Sequence, residues 1–289
     1  MTAAEREPAV LPEGLRARVL EASWRVRAAG RAVPDVPEIS PVEAYSRAAD
    51  ALYGMLCALD DAAWRIPVLR GLDVQHLIGH LTGVERDMRR GLAGDPAVAD
   101  ADHAGSTEPW AARQAGMAPE QTRAAWRRAA DRTLSLVRAL PGLGAEVALH
   151  GMRLPVSALL VVRAFELWTH DNDIRRAAGL PPAVPDASTL RLMTELAARL
   201  LPHGTARAGL RDPVRVHLVL TGPGGGTWDV VVGDGDQAAP APVGIVTDAV
   251  GFCWLVANRA TPADLDLYIT GDTGQAARIL AAASALALD

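Results

Sequence analysis

Residues 155–179 read PVSALLVVRAFELWTHDNDIRRAAG. Proline is tolerated at the first position of a helix, and glycine commonly follows the last. No breaker lies between them, so the spacing predicts a helix over 155–178. Glu166 and His170 stand four residues apart on it. That separation is about 40° of rotation and one turn of rise, so both side chains point the same way. Leu159 and Val162 lie near that direction, which places the pair on a largely buried face. A buried carboxylate needs a cation or hydrogen-bond donors, and a divalent metal meets that need. The same ExxxH spacing also suits a helix-surface pair or a hydrogen-bonded core pair. Arg163 lies about 60° around the helix from Glu166 and is expected to face the same cavity.

Upstream, Asp73 is a candidate N-cap. Val74, Leu77, Ile78, Leu81, Val84 and Met88 follow it at the steps of an amphipathic helix. His80 sits on this helix. With Glu166 and His170 it would complete a two-histidine, one-carboxylate set that leaves coordination positions open for water or substrate. Alone, His80 also suits a satisfied core histidine, and His76 could join it as an HxxxH pair or stay outside. Ser40-Pro41 opens a helix reaching Leu59, and another fits 118–139 behind Pro119. Four helices of this length predict a helical bundle. Residues 91–117, rich in Gly, Ala, Asp and Ser, read as a long loop with His103 exposed in it. His150, ahead of a glycine, is expected at a pocket mouth. Leu15, Val19, Leu20 and Trp24 have the spacing of a short helix over 13–30.

Beyond Gly179, the stretch LPPAVPD over 180–186 is the natural domain boundary. A helix is expected over 187–202, then strands over 214–220 and 227–232 joined by the turn Gly222–Gly226. A helix from Thr247 or Asp248 to Asn258, a strand over 265–269 and a closing helix over 272–287 complete a small α+β domain. His217 alternates with apolar residues and should face outward. Cys57 and Cys253 lie in apolar helical stretches and are expected to be buried, inert thiols. There is no P-loop, no GxGxxG after a strand, no GxSxG elbow and no cysteine-rich zinc pattern.

The chain has 289 residues, 49% hydrophobic and 22% charged, an ordinary globular balance. Its formal net charge is −5 and every one of its 29 basic residues is arginine. A general nucleic-acid binder needs a basic surface, so that class is excluded. No run of eighteen apolar residues occurs, which argues against a membrane span. The charged start MTAAEREPAV has no apolar core of a secretory signal, and two cysteines are too few for a disulfide framework. A soluble cytoplasmic protein is the expectation.

Two segments carry a family resemblance. Trp64–Met88, WRIPVLRGLDVQHLIGHLTGVERDM, resembles the metal-binding helix of the DinB-like superfamily. More narrowly, it resembles that of the mycothiol-dependent maleylpyruvate isomerase family of actinobacteria. Arg163–Pro182, RAFELWTHDNDIRRAAGLPP, is similar to that family's second metal motif. Gly271-Asp272 and Thr247-Asp248 resemble features of the sterol-carrier-like domain that follows the bundle there. The resemblance spans about residues 41–289. It implies an α-helical DinB-like four-helix bundle over 41–183 and a small α+β sterol-carrier-like domain over 184–289. Residues 1–40 would form an N-terminal helical extension.

The resemblance further implies His80, Glu166 and His170 as ligands of a divalent metal, commonly zinc. Members act on small electrophiles, and many use mycothiol, a cysteine-containing low-molecular-weight thiol. A metal lowers the pKa of a bound thiol, and the thiolate is the nucleophile. In the isomerase the thiolate adds to a conjugated double bond, allows rotation and leaves; in S-transferase relatives it stays attached. The implied activity is that of a metal-dependent isomerase or transferase. A thiol-independent metalloenzyme in specialised natural-product biosynthesis is the alternative. The chain departs from the family at His76, where an acidic residue is common, and in its additional first forty residues. It also ends in ALALD without the family's functional arginine, for which Arg259 or Arg278 would stand in. Arg163 and Arg259 are thus the catalytic candidates. A small-molecule substrate is expected, without nucleic acid or membrane as partner, and a homodimer is allowed.

Overall fold

Ser40 and Asp73 start the first two helices as the sequence predicts. In the computed structural model, Ser40 Oγ accepts a hydrogen bond from the Glu43 backbone N–H at 3.1 Å, opening α1 (Pro41–Ala58). Asp73 Oδ1 accepts from the His76 N–H at 2.8 Å, opening α2 (Val74–Leu92). The structure describes residues 36–233 and 243–287 together with Gly14 and Arg18. The helix expected over 13–30 lies, but for those two residues, outside the described residues.

Further along run α3 (His103–Gln114), α4 (Pro119–Arg138) and α5 (Val156–Ala177). Two short hairpins punctuate them. Strands β1 (Pro67–Leu69) and β2 (Leu72–Asp73) turn on Arg70-Gly71, and β3 (Glu146–Leu149) and β4 (Met152–Pro155) turn on His150-Gly151. Both residues of each turn have positive φ, 49° and 79° in the first and 50° and 74° in the second. Asn-like or Gly-Gly signals mark such turns in a sequence, and an Arg-Gly or His-Gly pair does not.

The segment 91–117 is not a loop. It folds into a 3₁₀ turn at Pro96–Val98 and then α3, whose first turn is capped by Asp102 Oδ2 accepting from the Gly105 N–H at 2.6 Å. α3 packs on α2, and α2 also packs on α4, while α1 packs on α5. Small residues are what this contact requires. A Cβ at Gly79 would lie 2.7 Å from Ala111 Cα, and one at Gly83 would lie 3.0 Å from Thr107 Cβ. Gly79 and Gly83 of α2 are therefore what lets its backbone approach Ala111 and Thr107 of α3.

After α6 (Ala187–Arg207) the chain forms a four-stranded sheet in the order β6-β5-β7-β8. Strands β5 (Val214–Thr221) and β6 (Gly226–Val232) are an antiparallel hairpin, with Val216 opposite Val230. β7 (Val243–Asp248) runs parallel to β5, and α7 (Ala249–Val256) follows it, capped by Asp248. β8 (Tyr268–Thr270) starts three residues later than expected, because Pro262–Asp264 form a 3₁₀ turn. α8 (Thr273–Ala283) closes the described chain with a short 3₁₀ turn.

Two apolar cores result. One gathers Leu52, Leu56, Trp64, Ile78, Leu81, Trp126, Leu159, Leu160 and Leu167 from α1, α2, α4 and α5. The other gathers Leu190, Met193, Val216, Leu218, Phe252 and Ile279, and takes Val161 and Trp168 from α5. α5 is thus apolar on more than one face because it is covered on more than one face. Cys253 is buried as expected, and burial pushes its thiol up. Cys57 is exposed, against expectation, because it lies on the side of α1 turned away from Leu52 and Leu56. Among the described residues, no helix is long and apolar enough to cross a membrane.

Candidate metal centre

α2 and α5 bring His80, Glu166 and His170 together, with one ligand atom of each inside 4.8 Å of the others. His80 Nε2 lies 3.6 Å from Glu166 Oε1. The His80 and His170 rings are perpendicular, with centroids 5.9 Å apart. The other carboxylate oxygen, Glu166 Oε2, accepts from Arg163 Nη1, and Arg163 Nη2 donates to Glu85 Oε1 at 2.8 Å. Burial alone would raise Glu166. The charge of Arg163 outweighs burial and holds the carboxyl well below its usual range. Glu166 Oε1 is buried and has no hydrogen-bond partner among the described residues, the condition under which a carboxylate oxygen calls for a cation.

The imidazole tautomers follow from their other partners. Thr107 Oγ1 spends its proton on the carbonyls of His103 (2.9 Å) and Ala104 (3.0 Å). It therefore accepts from His80 Nδ1 at 2.7 Å, and His80 Nε2 carries the lone pair. His170 Nδ1 lies 3.2 Å from Asp173 Oδ2. Asp173 is an anion: burial opposes ionisation, but His170 and Arg259 bring its carboxyl down to about 2. His170 Nδ1 donates to it, and His170 Nε2 also carries a lone pair. Ligating histidines are oriented in this way by a carboxylate or hydroxyl behind them. Two imidazole lone pairs and a carboxylate oxygen form a donor set that suits zinc and similar divalent ions.

A second histidine pair lies behind the cluster. His103, at the start of α3, is buried rather than exposed, and its Nε2 is 3.7 Å from Glu166 Oε1. Its Nδ1 meets His150 Nδ1 at 3.0 Å, and His150 Nε2 meets Asp87 Oδ2 at 3.3 Å. Burial would raise Asp87, but bonds from His150 and Ser106 hold it lowered and ionised. An anionic Asp87 takes the His150 Nε2 proton. His150 Nδ1 then accepts from His103 Nδ1, which leaves the His103 lone pair on the Glu166 side. The Ala- and Gly-rich composition of 91–117 hides this chain of histidines, because it reads as a loop. A correct helix start at Asp102 would have placed His103 and Thr107 on one face, four residues apart.

The remaining candidates are not among the three converging ligands. His76 is bonded to Asp73 at 2.6 Å near the helix start. Arg163 is 2% exposed and engaged by Glu85 and Glu166. Arg259 is bonded to both oxygens of Asp173, at 2.9 and 3.2 Å from Nε, and so stands behind His170. Arg278 lines a small crevice with Asp212 and Gln275, away from the cluster. His217 pairs with Asp229 at 2.9 Å on the outer face of the sheet.

Besides a crevice of about 10 Å³ at His103 and Glu166, two cavities reach the cluster. One of about 430 Å³ lies between α2, α3 and the first hairpin, with His80, His170, Arg70, Asp102, Thr107 and Glu108 in its wall. The other, about 100 Å³, lies between α5, α6 and the end of α7, and touches Glu166 and His170.

Residues 45–175 match the family model described as "Mycothiol maleylpyruvate isomerase N-terminal domain". This stretch of the chain is therefore similar to that family, in agreement with the resemblance read from the two motif segments. Over 247 residues the chain is 27% identical to two uncharacterized proteins of Mycobacterium tuberculosis, MT0041 and Rv0036c, covering 83% of this chain and 91% of each relative. Among solved structures it is similar in fold to the mycothiol-dependent maleylpyruvate isomerase. The TM-score is 0.55 at 18% identity, covering 80% of this chain and 91% of that one. A mutant of the same isomerase gives a TM-score of 0.54 at 17% identity.

Proposed function

We propose that the chain is a divalent-metal-dependent enzyme that uses a low-molecular-weight thiol, mycothiol by family resemblance, to isomerise a small electrophile or to transfer the thiol sulfur to it. In the finer reading of its fold, residues 41–183 are the DinB-like four-helix bundle and 184–289 the sterol-carrier-like domain. The observation that carries the function is the convergence of His80, Glu166 and His170 from two helices, one ligand atom of each within 4.8 Å of the others.

A divalent ion held there supplies Lewis acidity that lowers the pKa of a thiol and so generates the thiolate. The chain's own groups do the rest. Thr107 and Asp173 hold the two imidazoles in the ligating tautomer. Arg163 holds Glu166 ionised and leaves one of its oxygens for the cation. The larger cavity, with charged and hydroxyl groups in its wall, suits a hydrophilic thiol. In the reaction the thiolate sulfur bonds to one alkene carbon and the π pair moves toward the conjugated carbonyl. Isomerisation follows if the pair returns after rotation and the C–S bond breaks. S-transfer follows if the neighbouring carbon takes a proton and the bond stays.

The test is turnover of a conjugated electrophile by zinc-loaded protein with mycothiol, its desmethyl analogue or cysteine. Thiol-dependent turnover that disappears in His170→Ala is the expected result. Absence of turnover with every thiol overturns the thiol-dependent reading.

A further inference from the structure

The two cavities differ in chemistry, and His170 is in the wall of both. Val162, Phe165, Leu196, Leu200, Val256 and Leu286 wall the smaller one, and its polar lining is Glu166, Thr169 and His170. No arginine is among the described residues that line it. Arg163 is engaged by Glu85 and Glu166, and Arg259 by Asp173. A second carboxylate, on a substrate held at the cluster, would lie against apolar walls with no basic side chain beside it. Burying an uncompensated charge in that way is strongly unfavourable.

We infer that the electrophile is uncharged and apolar at the end that enters this cavity, while the thiol approaches from the larger, polar one. The inference rests on the thiol-dependent reading above and narrows its substrate class. It sets this chain apart from an enzyme of a dicarboxylate, whose second carboxylate would need a basic residue in the wall.

Unreactive probes test the cavity separately from the reaction. Methyl, ethyl, propyl and butyl acetate are titrated into metal-free protein by saturation-transfer NMR, so that no ion ligates the probe, with butanoate and pentanoate as charged counterparts. Each added methylene is expected to tighten ester binding about fourfold, the equivalent of about 0.8 kcal/mol, until the cavity is full. The carboxylates are expected to bind at least tenfold more weakly than esters of similar size. Leu200→Arg and the bulkier Leu196→Phe should each weaken butyl acetate at least tenfold while cobalt(II) binding is retained, which shows that the fold persists. Carboxylates binding as tightly as esters, or ester affinity independent of chain length, overturn the inference. So does butyl acetate affinity unchanged in both variants. Ester preference without thiol-dependent turnover overturns the proposed reaction alone.

Discussion

Glu166 is the residue on which the site turns. Its two oxygens have different tasks, one held by Arg163 and the other facing His80 and His103 at 3.6 and 3.7 Å. His80→Ala and His170→Ala are therefore expected to lose stoichiometric zinc, measured by metal analysis after dialysis. Zinc retained by both would mean that the ion sits elsewhere. His103→Ala removes a group beside Glu166 rather than one of the three converging ligands. A loss of about 10- to 100-fold in zinc affinity is expected, the range for groups just outside a coordination sphere. Competition with a chromophoric chelator reads it. Arg163→Ala leaves Glu85 and Glu166 buried without their cation. Breaking a buried pair in this way costs about 3–5 kcal/mol. Urea unfolding of the metal-free protein should show a loss of that order.

At the scale of elements, the close seam between α2 and α3 positions the site. α3 supplies Thr107, which orients His80, and His103, which faces Glu166. Gly79→Ala puts a methyl 2.7 Å from the Ala111 backbone, which no side-chain rotation relieves. A destabilisation of about 1–3 kcal/mol is expected from such overpacking. Zinc affinity should fall with it, because the helices separate beside His80. A control, Gly94→Ala, lies where no atom comes within 4 Å but has positive φ, so it should lower stability without changing zinc affinity. Equal affinity for zinc in Gly79→Ala and wild type would show that the seam does not set the site.

Across the whole molecule, Arg259 ties the segment after α7 to Asp173 on α5. This bond joins the part of the chain that carries the sheet to the helix that carries Glu166 and His170. Asp173 ionises at about 2 when folded against an ordinary 3.8, despite burial, because His170 and Arg259 favour the anion. A folded value below the unfolded one contributes stability that is complete above about pH 4 and lost as pH falls toward 2. The amount is about 2 kcal/mol. Denaturant titrations of metal-free wild type at about pH 5 and pH 2.5, compared with Asp173→Asn, should show the steeper acid loss in wild type. Parallel losses in the two proteins would assign the acid sensitivity to other carboxylates.

The ExxxH spacing in 155–179 was enough to place Glu166 and His170 on one face, because helix geometry is local. The HxxxH stretch after Asp73 likewise marked His80 on an amphipathic helix. Caps and breakers located most of the other elements for the same reason. Which of His76, His80, His103 and His150 would meet that face was not local information. It depended on Gly79 and Gly83 admitting α3, and on His150 adopting positive φ at a two-residue turn. The roles of Arg163 and Arg259 were equally hidden, since a guanidinium's partner is set by which carboxylates packing brings beside it. Local hydrogen bonding and periodicity are written along the chain. The approach of distant side chains is decided only when the two cores close around α5.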